Sequence, residues 1–105
     1  MDDVKQSDAF KAWLGNLKDS TARAKIAARL RRLAMGNPGD VEPVGEGVSE
    51  MRIDYGPGYR VYYCKVGKQV LVVLGGGTKA TQTKDIKKAK DAASEVKKQW
   101  PKKSN

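Results

Sequence analysis

The chain of 105 residues contains no histidine and only one cysteine. Without histidine, it lacks the side chain that most often transfers protons near neutral pH. The lone Cys64 cannot form an internal disulfide, and one Cys without His cannot supply the ligands of a zinc site. Any catalysis must therefore rely on Lys, Arg, Tyr, Asp, Glu or this thiol, and we expect neither a metal nor a small-molecule cofactor.

Long apolar runs are missing too. No segment approaches the roughly 20 consecutive apolar residues that a membrane helix requires. The acidic start Met1-Asp2-Asp3 has no apolar segment behind it, unlike a secretory signal. A single thiol also suits a reducing compartment. These features predict a cytoplasmic protein that does not use a membrane.

Negative charge is scarce in the second half of the chain. Residues 1–50 contain eight Lys/Arg and eight Asp/Glu, whereas residues 51–105 contain thirteen and four, so the net charge of +9 arises in the second half. A short basic chain with one-sided charge is typical of proteins that bind a polyanion, most commonly nucleic acid.

Hydrophobic periodicity predicts two helices after a short first strand at residues 2–6. Ser7 can cap the first helix, whose apolar residues recur at helical spacing. They are Phe10, Trp13, Leu14 and Leu17. Asp19-Ser20 can cap the second helix, which ends at the Gly-Asn-Pro-Gly sequence of residues 36–39. Its buried face is expected to comprise Ala22, Ile26, Leu30 and Leu33.

The middle of the chain alternates in the way that strands do. Residues 51–55 and 59–65 are predicted strands joined by Gly56-Pro57-Gly58. The apolar run 70–74 is typical of a central strand covered on both sides. We expect Gly75-Gly76-Gly77 to end that strand as a flexible turn.

A last helix follows, which Thr81 or Thr83 can cap and Pro101 stops. The order of elements predicts a single α+β domain at residues 1–100. In it, two N-terminal helices and a C-terminal helix pack on a small, mainly antiparallel sheet. Residues 101–105 are predicted to be a disordered tail.

Two arginines on neighbouring strands form the first candidate site. In a simple hairpin, Arg52 and Arg60 share a face of the sheet with Asp54, and two guanidiniums there can hold a phosphate through forked hydrogen bonds. Alternatively, Asp54 pairs with one arginine in a weak cross-strand ion pair. Both interpretations stay open. Lys79 follows the central strand, where its side chain can overhang the sheet.

Four tyrosines lie close to these arginines in the sequence. Tyrosine beside arginine is a combination that stacks on nucleic-acid bases, whereas tyrosines in strands more often pack in a core. Strand alternation places Tyr62 on the face of Arg60, and Tyr59 and Tyr63 on the opposite face. We therefore expect Tyr59 and Tyr63 in the core, and Tyr55 and Tyr62 as candidates for contact with RNA.

Three stretches of the sequence resemble the RelE/ParE superfamily of toxins, most closely its HigB-like branch of addiction-module killer proteins. They are residues 45–53, residues 55–63 with Gly-Tyr-Arg-Val, and the Gly-Gly-x-Lys-x-x-Gln turn at 76–82 followed by Asp85-Ile86. The resemblance runs from the first helix to about Lys98 and implies the same fold. Members similar to RelE cleave mRNA in the ribosomal A site, where the 2′-OH attacks the adjacent phosphate without a metal. Members similar to ParE poison DNA gyrase, so the fold does not decide the function.

The resemblance also implies site residues. Arg60 matches the phosphate-binding arginine of the family, Arg52 a basic strand position, and Lys79 the basic residue after the last strand. These three are the predicted catalytic residues, while the general acid and base stay unassigned. The expected RNA-binding residues are Tyr55, Tyr62, Gln82, Lys84 and Asp85.

The sequence thus predicts the toxin of a type II toxin–antitoxin system, which cleaves mRNA on the ribosome and is neutralised by a small helix-turn-helix antitoxin. Two alternatives stay open. One is a gyrase poison with the same fold, and the other is a degenerate member that binds only its antitoxin or RNA.

Overall fold

The computed structural model describes residues 1–100, in which helices pack on a five-stranded sheet. The strands are β1 (Asp3–Gln6), β2 (Val41–Gly45), β3 (Val48–Ile53), β4 (Tyr59–Gly67) and β5 (Val70–Thr78). Their order across the sheet is β1-β5-β4-β3-β2; β1 runs parallel to β5, and the other neighbours are antiparallel. The predicted α+β fold is confirmed. The tail predicted at 101–105 lies outside the described residues.

The helices begin where the sequence places capping side chains. They are α1 (Asp8–Asn16), α2 (Ser20–Ala34) and α3 (Gln82–Gln99), the last preceded by a short 3₁₀ turn (Lys79–Thr81). Ser7 accepts a hydrogen bond from the Phe10 N–H at 3.1 Å, and Asp19 accepts one from the Ala22 N–H at 3.1 Å. Both N-terminal caps are therefore confirmed. Within residues 1–100, no helix is long and apolar enough to cross a membrane.

Both faces of the sheet are covered. α1 and α2 pack on one face, over a core that includes Phe10, Ile26, Met51, Val61 and Val73. α3 packs on the other face, over a core that includes Val48, Tyr62, Cys64, Leu74 and Ala89. The run 61–64 of β4 is consequently buried without interruption, as is typical of a strand covered on both sides. We therefore expect a ligand to approach this sheet at its edges or at the ends of its strands.

Three glycines continue β5 instead of ending it. Gly75, Gly76 and Gly77 all pair with β4, so the prediction of a flexible turn there is wrong. A Cβ on Gly76 would lie 2.5 Å from the ring of Trp13, and one on Gly77 would overlap the carboxylate of Asp85. Gly76 and Gly77 thus let α1 and α3 approach the strand backbone closely.

Candidate functional site

An open pocket of about 360 Å³ lies where β3 turns into β4 and β5 ends. In the β3–β4 ladder, Arg52 is directly opposite Arg60, so the two side chains share a face. Lys79 follows β5, and its N–H donates to the Gly58 carbonyl at 2.8 Å. All three predicted catalytic residues line the pocket, with Asp40, Asp54, Gly56, Pro57 and Gly58. The structure brings them together, and their catalytic role stays a prediction.

Gly58 allows the turn to hold Lys79 and Arg60 this close. Its φ is +81°, a left-handed conformation that costs other residues about 1–2 kcal/mol. A Cβ there would lie 3.3 Å from the Lys79 Cβ and 3.6 Å from Arg60 Nη1. The backbone conformation therefore favours glycine at this position, and a larger residue would also press on Lys79.

Arg52 is neutralised by two carboxylates at the β2 edge of the sheet. Its Nη2 lies 2.9 Å and its Nε 3.2 Å from Asp40 Oδ1, and its Nη1 contacts Glu42. The hydrogen bonds to Asp40 and Glu42 raise the pKa of Arg52, and the bond to Arg52 lowers the pKa of Asp40. Among residues 1–100, Asp54 forms no ion pair with either arginine. Sequence reasoning missed Asp40 and Glu42, which leave Arg52 little capacity for a phosphate.

Arg60 has the opposite environment. Its side chain is 12% exposed, its Nε is buried without a hydrogen-bond partner, and Glu50 Oε2 lies 4.0 Å from that Nε. Among residues 1–100, its Nη1 makes one hydrogen bond, a long one of 3.4 Å to the Tyr59 carbonyl. Because Arg60 also lines the pocket, its Nη groups are available to an anion there.

Glu50 is a buried carboxylate that sequence reasoning did not single out. It is 1% exposed, and its Oε2 accepts hydrogen bonds from Tyr62 OH at 3.0 Å and from Gln82 Nε2 at 2.8 Å. Burial, and then the bond to Glu50, raises the pKa of Tyr62. Tyr62 is itself 1% exposed, so its ring cannot stack on a base, and the Gln82 amide is engaged inside the fold. Strand alternation could have indicated this position, because Glu50 lies two residues before Arg52 on β3 and therefore on the same face of the sheet.

The other expected RNA contacts lie outside the pocket. Tyr55 donates its OH to Asp19 at 3.0 Å and stacks on Tyr59 with ring centroids 6.5 Å apart. The bond to Asp19 raises the pKa of Tyr55. Asp85 lines a second pocket of about 240 Å³ that α1, β5 and α3 border. Lys84 is exposed on the first turn of α3. Tyr55 therefore fastens the β3–β4 turn to α2, and Asp85 belongs to a different cleft.

For chemistry, the arrangement offers two cationic side chains at one pocket. Arg60 and Lys79 can bind a phosphate and stabilise further negative charge on it. Cys64 is 1% exposed and burial raises its pKa, which disfavours the thiolate that a nucleophile requires. In the part of the chain that the structure describes, His, Cys, Asp and Glu form no group of three or more that could hold a metal ion.

Comparison with known proteins relates the chain to a protein family and to a bacterial relative. The model of the phage-derived Gp49-like protein family (DUF891) matches residues 12–98. An uncharacterized protein of Haemophilus influenzae is 47% identical over 93 residues, which cover 89% of this chain and 94% of the relative. The family match extends from α1 into α3 and includes every residue that lines the pocket.

Proposed function

We propose that this chain cleaves mRNA on the ribosome. It belongs to the phage-derived Gp49-like family, which is a family of RelE/ParE-type toxins of toxin–antitoxin modules. Such a family implies an antitoxin partner. In our proposal that partner is a small helix-turn-helix protein, and the toxin is HigB-like. Residues 1–100 act as one domain in the cytoplasm.

One observation carries this proposal: Arg60 and Lys79 converge on the same pocket. When a 2′-OH attacks the adjacent phosphate, the pentacoordinate transition state gains negative charge. Two cations held by β4 and by the 3₁₀ turn would stabilise that charge without reorganising. Arg52, already paired with Asp40 and Glu42, would mainly hold β2 to β3.

The reaction does not require histidine in the toxin. Positioning and charge stabilisation account for a large part of the rate in such a mechanism, and the ribosome or the RNA supplies proton transfer in our proposal. The exposed lysines of α3 would add attraction to RNA that is independent of sequence. They are Lys84, Lys87, Lys88, Lys97 and Lys98.

Expression without an antitoxin tests the target. We expect growth arrest, and primer extension should show cuts inside translated reading frames. Arg60→Ala should abolish both effects, whereas Arg31→Ala, which removes the same charge from the exposed surface of α2, should change neither. Intact transcripts with gyrase-linked DNA breaks would identify a gyrase poison instead. A folded protein without any toxicity would identify a degenerate, binding-only member.

Stability must be measured on the same variants, because the Arg60 side chain is largely buried. Removing it deprives Glu50 of its ion-pair partner, which we expect to cost about 1–3 kcal/mol of unfolding free energy. Arg60→Lys keeps the charge but loses the planar fork. Loss of one charge-stabilising donor typically slows a reaction about 100- to 1,000-fold. We expect cleavage to fall by that factor in both variants, at a temperature where circular dichroism shows them folded.

Lys79 is tested by a matched pair of lysine variants. Lys79→Ala should weaken cleavage and RNA affinity, whereas Lys68→Ala, in the exposed β4–β5 turn, should leave both unchanged. With two or three phosphate contacts, RNA affinity should fall about tenfold over a fourfold rise in salt. A flat salt dependence would show that the net charge of +9 is only a solvated surface.

A further inference from the structure

A buried carboxylate lies next to Arg60, and the proposed cleavage step does not use it directly. Glu50 is on β3, and its side chain is 2% exposed. Three donors surround one of its oxygens, Oε2: Tyr62 OH at 3.0 Å, Gln82 Nε2 at 2.8 Å and Arg60 Nε at 4.0 Å. Two of these donors come from β4 and one from the first residue of α3.

Arg60 is the cation next to the buried carboxylate of Glu50. A carboxylate is costly to bury unless it is both hydrogen-bonded and paired with a cation. Tyr62 and Gln82 supply hydrogen bonds but no charge. In the described part of the chain, the ion-pair partner of Glu50 is Arg60, whose Nε has no other partner. The carboxylate therefore attracts the Nε edge of the guanidinium.

The geometry of an arginine makes this attraction directional. The five N–H groups of a guanidinium form a rigid planar fork, so fixing Nε also fixes where the two Nη groups point. With Nε next to a carboxylate in the interior, the Nη groups are left for the pocket that Arg60 lines. Tyr62 and Gln82 hold the carboxylate in turn, so the start of α3 is part of the same support.

We propose that Glu50 is a positioning residue, which orients Arg60 so that its Nη groups meet an RNA phosphate. This inference rests on the proposed function, because the phosphate is that of the RNA substrate. Glu50 touches neither the substrate nor the reacting atoms. It acts through Arg60, and Tyr62 and Gln82 act through Glu50.

A double-mutant cycle separates positioning from a general structural effect. The probe is a short 2′-O-methyl oligoribonucleotide, which binds but lacks the attacking hydroxyl. Glu50→Gln should weaken its binding about tenfold in the otherwise unchanged protein, and less than about twofold in an Arg60→Ala background. Equal losses in both backgrounds would overturn the proposal. Glu95→Gln, which removes the same charge from the exposed face of α3, should not weaken binding.

A second measurement reports on Arg60 without RNA. The Nε–H signal of Arg60 in a nitrogen–proton NMR spectrum should exchange slowly with water, and Glu50→Gln should speed this exchange at least about tenfold while the backbone amide spectrum is preserved. An unchanged Nε–H signal would overturn the positioning role. If Glu50→Gln does not fold, Gln82→Met, which removes one support of the carboxylate, should give a smaller effect in the same direction.

The two measurements also separate this inference from the proposed function. If Arg60→Ala leaves RNA binding unchanged, the pocket is not the RNA site and the proposed function fails. In that case, the NMR experiment alone decides whether Glu50 orients Arg60. If Arg60→Ala abolishes binding but Glu50→Gln changes neither binding nor Nε–H exchange, the proposed function stands and the positioning role fails.

Discussion

Gly76→Ala tests the close approach of α1 to β5 with a single carbon atom. The added Cβ would lie 2.5 Å from two ring atoms of Trp13 and 2.7 Å from a third. The ring cannot simply turn aside, because it packs against Phe10 and Tyr59 with centroid distances of 5.9 and 6.2 Å. The strand or the indole must therefore shift.

The expected change in the free energy of unfolding is the sum of two opposing effects. Overpacking a well-packed core typically costs about 1–3 kcal/mol. Replacing glycine by alanine at a compatible conformation stabilises by about 0.4–1 kcal/mol, since the unfolded chain loses freedom. For Gly76→Ala we expect a net loss of up to about 2.6 kcal/mol. A Cβ added to Gly75 would meet no atom within 4 Å, so Gly75→Ala should show only the stabilising term.

Urea unfolding followed by far-UV circular dichroism measures both variants. The expected order of stability is Gly75→Ala, then the unchanged protein, then Gly76→Ala, and a difference of about 1 kcal/mol corresponds to roughly 4–8 °C in Tm for a chain of this size. In a Trp13→Leu background, the penalty for Gly76→Ala should largely disappear. Equal stability of the two alanine variants would refute the packing of Trp13 on Gly76.

Three further predictions concern the turn, the thiol and the edge of the sheet. Gly58→Ala should destabilise the protein by about 1–2 kcal/mol and weaken RNA binding, because a φ of +81° strains an L-residue and the added Cβ would press on the Lys79 Cβ at 3.3 Å; unchanged urea midpoint and affinity would contradict this. Cys64, buried and with its pKa raised by that burial, should react with Ellman's reagent only as fast as the protein unfolds, and rapid labelling of the native protein would be inconsistent with the structure. The bond to Arg52 lowers the pKa of Asp40 below 3.8, so its stabilising contribution is present above that pH and is lost as the pH falls through the lower folded value. Urea midpoints measured from about pH 5 to about pH 2 should therefore fall less steeply in Asp40→Asn, and parallel profiles would show that Asp40 contributes nothing.

The elements of the fold were largely predictable because their signals are local. Ser7 and Asp19 cap α1 and α2 through side chains that lie three residues before the N–H they bind. The alternation around the β3–β4 turn correctly placed Arg52 and Arg60 on one face. The arrival of Lys79 at the same pocket also followed from sequence, since it directly succeeds β5.

What sequence reasoning missed depends on tertiary contacts. A triple glycine is equally compatible with a loop and with a strand under close-packed helices, and only the positions of Trp13 and Asp85 decide between them. Tyr62 was expected on an open face, but α3 covers that face. Glu50 was overlooked because a carboxylate in a strand normally indicates solvent, unless donors from another element reach it.

Arg52 and Arg60 show why the number of arginines on a face does not determine its charge. They are cross-strand neighbours, yet β3 lies beside the edge strand β2 whereas β4 lies in the middle of the sheet. The edge supplies Arg52 with Asp40 and Glu42, whose carboxylates accept hydrogen bonds from its guanidinium and offset its charge. Within the described residues, the middle of the sheet gives Arg60 one buried carboxylate, at 4.0 Å from its Nε. An anion approaching the pocket therefore meets Arg52, which is already neutralised, and Arg60. In our proposal Glu50 orients Arg60, and its Nη groups are still available.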